Sequence, residues 1–90
     1  METKSTQLEN FVHKSLQVDL LDKKIDELEN RCDETDARLQ YAEDSGDELS
    51  AEFLAAMYNA LTEQKLELQL ERNKIEKELL DFQLAALRAE

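Results

Sequence analysis

The sequence predicts an all-α fold, an antiparallel two-helix coiled-coil hairpin, and three observations carry that expectation. The chain has no proline and a single glycine, Gly46, near its midpoint. Apolar residues recur at helical spacing on both sides of that glycine. When the chain is folded there, the two apolar seams fall in register.

Helix 1 is expected over about residues 6–44. Thr6 and Glu9 have the spacing of a capping box just before the apolar run, in which a hydroxyl and a carboxylate satisfy unpaired N–H groups of the first turn. The run that follows, Phe11, Val18, Leu21, Ile25, Leu28, Cys32, Thr35, Leu39 and Ala42, adopts from Val18 onward the alternating three-four spacing that keeps one helix face turned to a partner helix.

The turn is expected over residues 44–47. Gly46 enters the left-handed conformation that ends a helix without steric cost, and Ser45 or Asp47 supplies an oxygen to cap the next one. Ser45 with Glu48 also has capping-box spacing. Helix 2 is then expected over about residues 47–89. Its seam is Leu54, Leu61, Leu68, Ile75 and Phe82, each seven apart, with Phe53, Met57 and Leu79 beside it. Folding about Gly46 sets Leu39 near Phe53 and Leu54, Cys32 near Leu61, Ile25 near Leu68 and Val18 near Ile75. The whole of residues 1–90 reads as one helical-hairpin domain.

The competing arrangement is one continuous helix in a parallel coiled coil, since a lone glycine inside a helix costs only about 1 kcal/mol. Two features argue for the hairpin. Asp44-Ser45-Gly46-Asp47 stacks four poor helix formers. In addition, Gln64, Glu71 and Glu78 stand three residues after the helix 2 seam positions, where a two-stranded zipper tolerates polarity badly.

A second set of apolar residues points to function. Leu8, Val12, Leu16 and Leu20 form a stripe on helix 1 rotated by roughly 150° from its seam, and Leu66, Leu70, Leu80, Leu84 and Leu87 do the same on helix 2. In the hairpin both stripes lie toward the open end that carries the termini. A two-helix hairpin cannot bury two faces of each helix, and a contiguous exposed apolar group is a mark of an interaction surface. Dimerisation into a four-helix bundle covers them, and so does a groove for another protein's amphipathic helix.

The tip is opposite in character. Between Asp26 and Glu52 stand eleven acidic residues against Arg31 and Arg38, so nine of the eleven net negative charges fall there. Such a balance argues against binding the nucleic-acid backbone, which needs clustered Lys and Arg, and against anionic lipid. The ordinary role of such a run is a solvated face that keeps the chain soluble. The functional alternative is contact with a basic partner or mimicry of a nucleic-acid surface.

The chemistry of catalysis is not legible. His13 and Cys32, each the only residue of its kind, lie about 28 Å apart along one helix at 1.5 Å per residue. They cannot share a metal or form a nucleophile pair. Cys32 reads as a buried structural thiol and His13 as a surface or interface side chain. Placing Gly46 at the glycine of an EF-hand loop puts Tyr41 at the first ligand position, so that match fails. Charge pairs four apart, Asp19 with Lys23, Glu27 with Arg31, Glu34 with Arg38, Lys74 with Glu78 and Lys77 with Asp81, read as solvated helix support.

No apolar run is long enough for a signal peptide or a membrane span, and one cysteine allows no intrachain disulfide, which together suggest a cytoplasmic or otherwise intracellular setting. The expectation is therefore a non-enzymatic protein–protein interaction module, with no cofactor and no metal. It would be a small coiled-coil adaptor or assembly subunit, a homodimer or a partner of another protein's helices. The alternatives are an acidic regulator or inhibitor of a basic surface, and a secretion-type chaperone shielding an aggregation-prone helix.

Overall fold

The computed structural model describes residues 4–89, and consists of α1, Lys4–Asp44, and α2, Glu48–Ala89, packed against each other. Residues 1–3 and 90 of the expected 1–90 domain lie outside the described residues. The hairpin is a rod of 65 × 18 × 17 Å, close to the length that forty-odd helical residues give at about 1.5 Å each.

α1 starts at Lys4, two residues before the expected start. Thr6 and Glu9 therefore both lie inside the helix and do not mark its N-cap. α1 ends because Gly46 adopts φ +74°. The Asp47 N–H donates to the Ala42 carbonyl at 2.9 Å and the Gly46 N–H to the Glu43 carbonyl at 3.1 Å. This paired closure satisfies carbonyls that the last turn would leave orphaned.

Asp47, not Ser45, caps α2: its carboxylate accepts from the Ser50 N–H at 3.2 Å. Hydrogen bonding from Ser50, first from its side-chain hydroxyl and then from this backbone N–H, holds the Asp47 carboxyl below its usual pKa. The Ser45–Glu48 capping box does not form, because Ser45 still closes α1 with its N–H on the Tyr41 carbonyl.

Val18, Leu21, Ile25, Leu28, Cys32, Thr35 and Ala42 of α1 are buried. Phe11 and Leu39 are half-buried, as are Leu54, Leu61, Leu68, Ile75, Leu79 and Phe82 of α2. Register follows from three cross-helix contacts. The Phe11 and Phe82 rings lie 5.2 Å apart, Lys14 pairs with Glu78 at 2.9 Å, and Arg72 pairs with Asp22. The numbers in these pairs add to 93, 92 and 94. Ile25 opposite Leu68, and Cys32 opposite Leu61, belong to that same series.

One expectation for α2 requires correction: Phe53 and Met57, placed beside the seam, are exposed. Gln64, Glu71 and Glu78, three residues after seam positions, are exposed as well. The companion positions lie four residues after Leu61, Leu68 and Ile75, at Lys65, Arg72 and Leu79, all half-buried, whereas Tyr58, four after Leu54, is exposed. The Arg72 guanidinium is held there by Asp22 of α1 and by Glu76. All the buried residues lie on α1, and α2 holds none.

Thr35, the one buried polar side chain among the described residues, donates its hydroxyl to the Arg31 carbonyl at 2.7 Å. None of the five expected charge pairs forms a salt bridge among the described residues. The ion pairs are Lys14–Glu78, Arg72–Asp22 and Arg72–Glu76, two of which cross between helices. A cross-helix pair also fixes register, which a pair within one helix cannot do.

Candidate functional site

All nine residues of the outer stripes are exposed: Leu8, Val12, Leu16 and Leu20 on α1, and Leu66, Leu70, Leu80, Leu84 and Leu87 on α2, at 43–71% of their full accessibility. The two seams face each other, so the stripes are left pointing away from the opposite helix. His13 stands among the α1 stripe residues and lines the same shallow surface as Leu8, Val12 and Leu16.

At the open end the two helices leave a groove of about 350 Å³. Phe11, Leu79 and Phe82 form its floor and Lys14 and Glu78 bridge across it. The Lys14 ammonium, hydrogen-bonded to Glu78, holds that carboxyl below its usual pKa, with Lys74 adding to the effect. Further along, the Arg72 guanidinium is held more firmly protonated by its hydrogen bond to Asp22, with Glu76 bonded on its other side at 2.6 Å. These charges clamp the helices to each other.

All eleven acidic residues from Asp26 to Glu52 are exposed. Beside them lies an apolar group that the sequence reading assigned to the seam or passed over: Leu49 at 79%, Phe53 at 68%, and also exposed Tyr41 and Met57. The signal was present in the spacing, because Leu49, Ala56, Leu70 and Leu84 are separated by multiples of seven. Leu49 thus continues the outer stripe of α2 to the tip.

Cys32 is buried in the seam and forms no disulfide. Among the described residues no three His, Cys, Asp or Glu side chains are grouped as metal ligands. No helix among them is long and apolar enough to cross a membrane.

No family model matches the chain, and no curated protein or solved structure does either. The fold and surface define a helical hairpin with unpartnered apolar faces, and the functional reading rests on those faces.

The chain exposes 7312 Å² in all. A folded chain of 10.4 kDa ordinarily exposes about 5,400 Å², leaving an excess of about 1,900 Å². A rod of this width has no interior, and among the described residues no side chain is fully enclosed.

Proposed function

We propose that the chain is a non-enzymatic protein–protein interaction module. It is a small coiled-coil adaptor or assembly subunit that binds helices through its outer apolar stripes, including those of a second copy in a four-helix homodimer. The observation that carries this reading is the set of nine exposed apolar side chains at helical spacing on the open half of the rod. Each large apolar side chain forgoes roughly 1.5–3 kcal/mol by remaining in water rather than being fully buried. The surface excess of about 1,900 Å² per chain falls in the range that obligate helical interfaces remove.

The test is substitution of Leu16 and Leu84 by Asp, which would bury a carboxylate without a counter-ion in any interface formed there. The expected result is loss of assembly or partner binding by sedimentation and capture, with helicity retained on the same samples. If Leu16→Asp and Leu84→Asp both leave oligomer and partner capture unchanged, the stripes are ordinary surface and the proposal falls.

A second reading has its own support in the eleven exposed carboxylates between Asp26 and Glu52, a half of the rod that also bears exposed Leu49 and Phe53. There the chain would regulate or inhibit a basic surface. Binding through the tip weakens steeply with ionic strength, whereas leucine-driven binding does not.

A further inference from the structure

The outer face of α2 is more than a set of leucines. Two interleaved rows seven residues apart, one from Leu49 to Leu84 and the other from Glu52 to Leu87, contain twelve residues, and every one of them is exposed. Seven of the twelve are apolar and five are polar, Glu52, Asn59, Glu63, Asn73 and Lys77. Together they make a second heptad seam, interrupted rather than continuous, on the side away from α1, and such a seam needs a register that sets polar residues against polar ones. On α1, by contrast, Leu8, Val12, Leu16 and Leu20 are spaced by four throughout. Such a stripe drifts by about 40° at each step and faces any one partner for only a few turns.

We infer that the chain dimerises by pairing α2 with α2 of a second copy, antiparallel, about a two-fold axis between Leu66 and Leu70. This rests on the self-association proposed above and specifies its geometry. The seam is complementary to its own reverse. In the antiparallel register that sets Leu66 against Leu70 of the second copy, Leu49 meets Leu87 and Ala56 meets Leu80. Each layer then joins one row to the other, which is how antiparallel coiled-coil seams interleave. The polar residues also coincide, Asn59 with Lys77 and Glu63 with Asn73. Only the layer of Glu52 and Leu84 joins unlike residues, and it lies toward the end of the contact, where a carboxylate reaches water.

Charge selects the same orientation. Helical side chains lean toward their own N-terminus, so in this register Glu63 of one copy and Lys77 of the other lean toward each other, twice by symmetry. Neither residue has an ion-pair partner within its own chain among the described residues. The antiparallel arrangement also sets the two acidic tips about 70 Å apart at 1.5 Å per residue, whereas a parallel one places them side by side, with nine net negative charges on each. Because the seam lies away from α1, the four helices form a row and not a square bundle. The α1 stripe around Leu16 stays open for a partner's helix, as an adaptor requires.

The experiment uses the full chain with Cys32→Ala, so that introduced cysteines are the only thiols. Asn59→Cys and Lys77→Cys chains, mixed in equal amounts and oxidised, are expected to give the mixed disulfide. Asn59→Cys alone is expected to give none, since its two copies lie about 27 Å apart along the axis. Disulfide formation by Asn59→Cys alone would overturn the antiparallel orientation while leaving self-association standing. A dimer by sedimentation that gives no mixed disulfide overturns the register, and a monomer at micromolar concentration overturns both this inference and the self-association beneath it. Independently, Lys77→Glu is expected to weaken the dimer roughly threefold to thirtyfold, as two solvated ion pairs allow, and adding Glu63→Lys to restore it. Failure of the exchanged pair to rescue removes the charge argument. Leu84→Asp should dissociate the dimer and Leu16→Asp should not; the reverse outcome would move the interface to α1.

Discussion

Truncating Ile25 to alanine tests whether the seam between α1 and α2 is what holds the chain together. Ile25 is 7% exposed and lies opposite Leu68 in the register fixed by the cross-helix contacts. The substitution removes three carbons, worth about 2.4 kcal/mol at 0.8 kcal/mol each when fully buried. The cavity term should be modest. The rod has no enclosed interior, so neighbouring side chains and water can close around the gap, unlike the deep cores in which losses approach about 5 kcal/mol. The expectation is therefore about 2–3 kcal/mol for Ile25→Ala. For Leu68→Ala it is about 1–2 kcal/mol, since Leu68 is half-buried and already pays less in lost contacts. With about 4–8 °C of melting temperature per kcal/mol for a chain of this size, Ile25→Ala should melt about 10–20 °C lower. The assay is thermal unfolding followed by far-ultraviolet circular dichroism at matched protein concentration, because association adds to the apparent stability. Leu20→Ala, on the exposed side of the same helix, is the comparison. If Leu20→Ala costs as much as Ile25→Ala in dilute, unassociated samples, or if Ile25→Ala costs less than Leu68→Ala, the assignment of inner and outer faces is wrong.

Further outcomes follow from the turn and the clamps. Gly46→Ala should destabilise by about 1–2 kcal/mol purely through the backbone, because open space surrounds the position where its Cβ would stand; a neutral effect in a thermal melt would refute the left-handed turn. Asp47 has a depressed folded-state pKa, so its cap contributes stability above the unfolded carboxyl range and loses it as pH falls through the folded value. The melting difference between wild type and Asp47→Ala should thus be full at pH 7 and shrink toward pH 3. The same sign holds for Glu78, whose depression comes from Lys14, and Lys14→Met should reduce the acid sensitivity. Spin labels at Gln7 and Ala85, diluted with unlabelled chain, should lie close together within one molecule, as both residues line the open-end groove; a straight helix would separate them by more than about 100 Å.

Much of the fold was legible because helices report themselves through period and punctuation. The absence of proline, the single glycine among poor helix formers and the three-four spacing from Val18 to Ala42 determined two long helices, the turn at Gly46 and the inner face of α1. Register was legible as well, since folding at one glycine leaves little freedom in which heptads meet. The outer stripes could be read as surplus, because each helix has only one face to give its partner.

Tertiary structure decided what periodicity left open. A seam residue every seven positions in α2 is compatible with companions either three or four residues along, and only the packing of α1 against α2 chose Lys65, Arg72 and Leu79. That choice turned Phe53 and Met57 outward and brought Arg72 to Asp22. Lys65 and Arg72 stand half-buried on the inner face; a long side chain can bury its methylene stem while its charge finds an acid or water, a division that a polar-or-apolar reading of sequence cannot express. The cap passed to Asp47 for a comparable reason: Ser45 was already committed to closing α1, and that commitment exists only once the turn has formed.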